Sequence, residues 1–575
     1  MPTPEPIETV TTDVLIVGSG AAALRAALEA HDRGAEVLVV IKGEFRRSGA
    51  TFHSVAEVGA FNVPDDAGKT GDSPEVFLKD ILDAAQGMSD PRLSAIVAEE
   101  AEDALRYLEG HGVHFERSGD DYLVFRACFS SRPRSHVIKD HFKPIVSALG
   151  KEASRRGVKV MDRLMVTNLI VRDGACLGVY ALDHAGKPVV IRAKATILTT
   201  GGASQLFEKN LYPNDITGDG YAMARRAGAY LANMVFMLAG VCTAAPFVNL
   251  FGNYLWDALP NLTDRDGERF IEGFLPEGIS LEDVIQAKER HFPFSSSDIS
   301  RYIEIGIQKT INAGRGTELG AVYMDFIDCR LDAVLADKSR SIAQMWPLTH
   351  QWYLERGVDL HKDRFQITCS AHAVNGGIYI DAEAQSNIKG LFAAGEVASG
   401  PHGADRLGGN MAMTCQVFGR RAGKAAAERA AAVAHPPVPD AADELNGYVS
   451  AFRGDGTADL AAMRSELKHA ANRHLLVVRN GDGLESILAL CEDMQEAVRT
   501  EARIETPADM IAALELVNLC EVGAMMATAA LVRTESRGSH YREDFPESDD
   551  AQLTNVIIDS GNPQGWFRAR IGELG

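Results

Sequence analysis

Apolar positions along the 575-residue chain fall into distinct kinds of pattern. Near the N-terminus, "VLIVGSGAAALRAALEAHDRGAEVLVV" runs an unbroken apolar stretch into a glycine turn, an alanine-rich helical stretch and a second apolar stretch. Unbroken apolar runs bounded by glycine are the mark of strands buried on both faces, so residues 11–60 are expected to form strand, turn, helix and strand. "DPRLSAIVAEEAEDALRYLEGHGV" (90–113) has helical periodicity and ends in glycine, which predicts an amphipathic helix pair. Residues 164–202 read as β-rich, with "RDG" and "HAGK" as hairpin turns.

The pattern changes between about 235 and 350, where it becomes aromatic and irregular: "APFVNLFGNYLWDALPNL", then "HFPFSSSDISRY". "GLFAAGEVA" (390–398) returns to a short buried strand running into glycine. "AAVAHPPVPDAADE" (431–444) has the prolines of a linker, and 445–535 reads as long amphipathic helices. An α/β half is therefore expected to be split by an insert.

The chain is too long for a single core. Its net charge of −21 argues against nucleic acid as a partner. No apolar run is read as reaching the ~20 residues of a membrane helix, so no direct membrane insertion is expected. The polar, acidic "MPTPEPIETVTTD" carries no secretory pattern. The eight cysteines are scattered without a C-x-x-C pair, so no metal or iron–sulfur site is expected, and reduced thiols point to the cytoplasm.

"GSGAAA" has the G-x-G-x-x-A spacing of a dinucleotide-binding turn. Gly18 allows the turn, Gly20 lets a pyrophosphate approach the helix N-terminus, and Ala23 stands for the third glycine. The second strand ends in Lys42 where an acidic residue usually holds a ribose, which counts against a plain NAD site.

Further blocks join this turn: "RRSGATFHSVAEVGAFN" (46–62), "ILTTGGASQLF" (197–207), "TGDGYAMARRAGAYL" (217–231), "SAHAVNGGIYID" (370–381), "GLFAAGEVASGPHGADRLGGNMAMTCQVFGRRAG" (390–423) and "RTESRGSHYREDFPESDD" (533–550). In that order the chain resembles the flavoprotein subunits of fumarate reductase and succinate dehydrogenase and their stand-alone relative L-aspartate oxidase, over about 12–550. The resemblance implies an α/β fold: a Rossmann-like FAD-binding domain (1–234 and 351–435), an inserted α+β capping domain (235–350) and a C-terminal helical domain (436–575). It implies FAD as cofactor. Gly18, Ser19, Gly20, Ala21 and Ala22 would meet the pyrophosphate, with Lys42 after the second strand. Ser48, Gly49, Ala50 and Thr51 would lie along the flavin edge, and Val166 near the adenine. Thr200, Gly201 and Gly202 would form a second glycine turn, with Asp219 near the ring system. Glu396 would reach the ribityl or ribose hydroxyls, and Asn410 and Met411 would approach the isoalloxazine. A non-covalent FAD and a covalent link through His53 both stay open.

The resemblance also implies hydride transfer between flavin N5 and a substrate carbon. His372 and Arg406 match the family's clamp for a carboxylate, a role the planar guanidinium suits. Elsewhere the chain departs from the family. "HPTG" falls on "MLAG" (237–240), so a second carboxylate-binding histidine becomes Met237. "PRDVVSR" falls on "SSSDISR" (295–301), so the proton-carrying arginine becomes Ser296 and only Arg301 survives. Arg301, Tyr302 and Ser296 are the candidates for the proton. Met237, Leu238, Phe247, Phe251, Tyr254 and Trp256 stand where the second anchor would be, which predicts a monocarboxylate or carboxylate-like substrate with an apolar or cyclic body rather than fumarate, succinate or aspartate. Three readings stay open: a stand-alone flavin oxidoreductase, a flavin subunit bound to an iron–sulfur protein (and through it to a membrane), and a flavin-binding scaffold that has lost catalysis. "RTESRGSHYREDFPESDD" is expected to be a salt-bridged clasp between domains.

Overall fold

A computed structural model describes residues 8–53, 58–290, 292–435, 437–438 and 441–570. Residues 1–7, part of the N-terminal stretch read above, lie outside the described residues, as do 54–57 beside His53.

The apolar N-terminal run forms β1 (Glu8–Val17), followed by α1 (Ala21–Asp32) and β2 (Val37–Val40). β3 (Lys159–Met161), β4 (Leu164–Arg172), β5 (Ala175–Asp183) and β6 (Pro188–Leu198) follow after an excursion of helices and short strands. β3, β2, β1 and β6 are parallel in that order, while β4 and β5 form an antiparallel meander on β6. The β4–β5 turn is the expected "RDG", with Asp173 and Gly174 both at positive φ. Residues 91–110 form one helix rather than a pair, because neither glycine nor proline interrupts the run before Gly110.

The insert begins with β7 (Met237–Ala245) and β8 (Asn249–Leu250), then β9 (Asn261–Thr263), β10 (Val322–Asp325) and β11 (Phe365–Val374). These form one antiparallel sheet in the order β8, β7, β11, β10, β9, flanked by helices such as Arg301–Thr310 and Ser341–Leu354. β11 lies past residue 350 and pairs centrally with the capping strands, so the segment read as returning to the cofactor domain at 351 first completes the capping sheet. β12 (Leu391–Ala393) then joins the C-terminal half of β6 in parallel, and α2 (Asn410–Ala432) packs over α1.

The C-terminal region contains α3 (Leu460–His474), α4 (Gly481–Thr500) and α5 (Pro507–Val532). It is not purely helical: Asn555–Ile558 pairs with Leu231–Ala232 and so returns to the cofactor half. α5 is apolar all round rather than amphipathic. It is long and apolar enough to cross a membrane, which corrects the sequence reading, and 72% of its most apolar 18-residue window is buried within the protein. Asn518 and Glu521 on it reach Asp219 and Arg226.

The expected clasp forms. Arg533 and Arg537 both bond the buried Glu535, at 2.5 and 2.8 Å. Arg537 Nη1 donates to Gln86 O, Ser539 N to Ala404 O, and Ser296 N to Gly538 O, so one segment ties the cofactor, capping and C-terminal parts together.

Candidate active site

The phosphate turn is built by contacts that require glycine at one position and leave space at the other. Gly18 has φ +118°, and a Cβ there would lie 2.4 Å from Thr199 O. Gly20 caps α1, and a Cβ would meet only Thr51 Oγ1, at 3.5 Å. Ala21 N donates to Thr51 Oγ1 at 3.4 Å; beyond that contact the N-terminal end of α1, with its positive dipole, opens onto free space, the arrangement that receives a pyrophosphate.

That space is part of a cavity of about 1330 Å³ between the cofactor half and the capping domain. Of the sequence-predicted residues, Gly18, Ser19, Gly20, Ala21, Ala22, Lys42, Ser48, Gly49, Ala50, Thr51, Val166, Thr200, Gly201, Asp219, His372, Glu396, Arg406 and Met411 line it. Gly202 and Asn410 do not. Gly202 backs Glu396, whose Oε1 a Cβ there would meet at 2.0 Å. Asn410 accepts from Asn62 Nδ2 at 2.5 Å, and its own Nδ2 is buried without a partner.

Lys42 Nζ donates to Thr217 Oγ1 and binds the carboxylates of Asp219 and Glu515 at 2.8 and 2.7 Å. Burial alone would lower its pKa, but the two carboxylates outweigh it and hold the ammonium charged. Asp219, expected near the ring system, is thus placed against Lys42 at the end of β2. Ser48 closes its own turn by bonding Glu44, and Gly49 N donates to Asp215. Glu396 Oε1 accepts from Val374 N at 3.0 Å, and burial pushes its carboxyl up to about 7.

His372 stands on β11, with Tyr212 and Phe292 rings 5.8 and 6.0 Å away. Burial, with a smaller push from Arg406, holds its pKa down to about 3, so the imidazole is neutral. Arg406 is 7% exposed, and Nη1 donates to Leu407 O. Burial lowers its pKa, opposed by the charges of Tyr212 and Glu396. His372 Nδ1, Arg406 Nε and Thr200 Oγ1 are buried without partners. Buried donors of this kind are costly unless something meets them, and together with the turn at Gly20 they fit a bound flavin dinucleotide.

The structure does not bring every candidate to the cavity. Arg301 lies off its wall, over the Tyr302 ring, and donates to Ser296 O and Tyr302 Oη. Ser296 is buried, with its Oγ unpartnered, but it does not line the cavity. His53 is exposed at the end of a short helix and lies off the wall. Of the aromatic and apolar stretch, only Leu238 and Tyr254 reach the cavity. Phe251 and Trp256 pack on each other in the core, 5.4 Å apart, and Phe247 packs on Trp352. Met237 is buried in β7.

Sequence reasoning missed the wall opposite the glycine turn. It consists of the 123–130 loop with Cys128, then Asn253, Glu289, Arg290 and Phe292, then Met345 and Leu348 of helix Ser341–Leu354. Among the described residues no group of three or more His, Cys, Asp or Glu converges to hold a metal.

The FAD binding domain family matches residues 13–411, and the fumarate reductase flavoprotein C-terminal family matches 464–564. The chain is similar to a subunit of the fumarate reductase (CoM/CoB) of Methanothermobacter marburgensis, with 33% identity covering 95% of this chain and 96% of that one. It is 28% identical to L-aspartate oxidase of Synechocystis, covering 95% and 97%. Among solved structures, Mycobacterium smegmatis Sdh1 in complex with UQ1 aligns with a TM-score of 0.82 at 27% identity, covering 98% of this chain and 95% of that one.

Proposed function

The chain belongs to the FAD-dependent oxidoreductase family of fumarate reductase, succinate dehydrogenase and L-aspartate oxidase flavoproteins, and within it we propose an enzyme that hydrogenates or dehydrogenates a small carboxylate. Its cofactor is FAD, which supplies hydride exchange at N5 when bound. The substrate is a monocarboxylate with an apolar or cyclic body. One observation carries this reading: Arg406, 7% exposed, has an unpartnered Nε in the cavity wall beside neutral His372. A carboxylate meets those donors and is held at the flavin, which fixes the reacting distance. The clamp is the retained half of the family pattern. Beyond it the wall offers Leu238, Tyr254, Phe292, Met345 and Leu348, which suit an apolar body. Glu289, Arg290 and Asp298 also touch the cavity, with Arg290 exposed.

Anaerobic reduction of the FAD-loaded protein, followed by reoxidation with fumarate, crotonate and cinnamate, tests this. Fast reoxidation by cinnamate or crotonate and slow reoxidation by fumarate is the expected result. Fumarate as the best acceptor overturns the single-anchor reading.

A second reading concerns electron flow. The Methanothermobacter relative is named as one subunit of an enzyme, and this chain covers 96% of it. Among the described residues all eight cysteines are unpaired and none clusters for a metal, so an iron–sulfur centre would come from a partner protein. Unpaired thiols also support a cytoplasmic setting, with any membrane reached through that partner. Isolation of the native protein with an iron-containing partner would establish the complex.

A further inference from the structure

The family pattern that supplies the proton is broken here, and Arg301 and Ser296 both lie off the cavity wall. We propose that Cys128 is a catalytic residue: its Sγ–H delivers the proton to the substrate carbon beside the clamped carboxylate, and its sulfur takes that proton back in the opposite direction. The proposal rests on the carboxylate reading above.

Cys128 lies in the cavity wall, on the 123–130 loop of the cofactor half, and is half-buried. Its sulfur accepts two hydrogen bonds from the capping domain, from Phe292 N at 3.2 Å and Asn253 Nδ2 at 3.6 Å. Both contacts use sulfur lone pairs. Among the described residues no acceptor is bonded to the S–H, which leaves that hydrogen for the cavity. The Cys128 carbonyl accepts from Gly408 N, so the backbone of this residue is tied to the loop that carries Arg406. Cys128 and Arg406 line the same cavity.

Arg406 gives the independent sign of a ligand. It is more than nine-tenths buried, and its Nε has no partner. The proposal requires a carboxylate bound there to bring its neighbouring carbon to the Cys128 sulfur, across the cavity that both residues line.

The chemistry balances. Reduction of a C=C bond needs one hydride and one proton. The S–H bond breaks and a C–H bond forms at the carbon next to the carboxylate. The second C–H bond, at the adjoining carbon, would take the hydride that a bound reduced flavin supplies as it is oxidised. The charge left on sulfur is met by the Phe292 N–H and the Asn253 amide, both donors. A proton from solvent restores the thiol. Two other groups on the wall are less suited. Tyr254 Oη is bonded to Thr349 Oγ1, and Cys415 lies in the cofactor half near Glu396, with burial pushing its thiol up to about 12.

The test uses FAD-loaded wild type, Cys128→Ala and Cys128→Ser. In wild type, iodoacetamide should label Cys128 at least about tenfold faster than Cys329, a half-buried thiol outside the cavity, and cinnamate should protect it. Labelling of Cys128 no faster than of Cys329 overturns the proposal whatever the kinetics give. With cinnamate as oxidant, Cys128→Ala should slow flavin reoxidation by roughly 10²–10³ while FAD stays bound, and Cys128→Ser should recover little. If Cys128→Ala is reoxidised as fast as wild type, the proposal fails and the carboxylate reading stands. If no enoate reoxidises wild type, the carboxylate reading fails and takes this proposal with it.

Discussion

Ser295 Oγ donates to Asp405 Oδ2 at 2.7 Å, a bond that joins the capping domain to the residue immediately before Arg406. Gln86 Nε2 donates to the same oxygen at 3.0 Å, and Ser297 Oγ bonds the other end of Gln86. Cap, cofactor half and the segment carrying Arg406 therefore meet at one buried carboxyl. Its second oxygen has no partner.

That carboxyl should make stability depend on pH. Burial, with Asp298 adding a like charge, pushes Asp405 up to about 7 against the two hydrogen bonds. The folded protein keeps this proton until about pH 7, whereas the unfolded chain releases it near 3.8. Between those values the folded state binds more protons, so this group removes stability as pH rises, and the cost is complete above pH 7. It is on the order of a few kcal/mol. Urea midpoints at pH 5 and pH 8 should show Asp405→Asn gaining on wild type at the higher pH. An equal gap at both values would count against a raised Asp405.

The two turn glycines should fail differently. Gly18→Ala forces a side chain into Thr199 O at an unfavourable φ, so it should lower both thermal stability and FAD affinity. Gly20→Ala meets nothing closer than 3.5 Å in the protein and occupies the pyrophosphate space instead. Its apoprotein should melt close to wild type while its FAD affinity drops at least about tenfold, or 1.4 kcal/mol. Fluorescence titration with FAD and melting of the apoproteins separate the two. Equal melting losses would show that Gly20 serves the fold.

The clamp should lose height without changing its pH dependence. Arg406→Gln removes a desolvated cation from the carboxylate and should lower kcat/KM for the best enoate by roughly 10²–10³. His372→Gln should cost less. Because burial keeps His372 neutral down to about pH 3, its removal should leave the kcat/KM profile between pH 5 and 8 unshifted. An inflection near pH 6.5 that disappears in His372→Gln would show a histidine titrating in catalysis.

Much of the cofactor half could be read directly because it is encoded locally. The β1 strand, the Gly18 to Ala22 turn and α1 are consecutive, and the pattern of each constrains the next. His372 and Arg406 lie in motif blocks, and both line the cavity. The opposite wall could not be read the same way. Cys128, Asn253 and Phe292 come from three distant segments, and only the closing of the cap over the loop brings them together. The aromatic run of the insert was ambiguous for another reason. Burial does not distinguish core from pocket: Phe251 and Trp256 fill the capping core while nearby Tyr254 reaches the cavity. α5 was misjudged because Glu515 and Glu521 break its apolar run, yet both are paired with cations and the helix stays largely inside.

Lys42 shows how the C-terminal domain bears on the cofactor half. Its ammonium joins Asp219, on the helix after the second glycine turn, to Glu515 on α5, and Arg464 of α3 extends the chain of charges to the same Glu515 at 3.0 Å. Lys42→Met would leave two carboxylates, each less than a fifth exposed, short of one cation. Breaking such a pair from one side should cost about 2–4 kcal/mol, because a buried charge is left uncompensated. Removing the charge from all three should cost less, since neutral partners need no counterion. Lys42→Met should therefore melt below the Lys42→Met, Asp219→Asn, Glu515→Gln triple variant, in calorimetry with and without FAD. The ordering in the apoprotein is decisive. If Lys42→Met melts low only when FAD is present, Lys42 acts through the cofactor. If it melts low in both, the lysine holds the α5 helix to the sheet, and the C-terminal domain is part of what keeps the dinucleotide turn in shape.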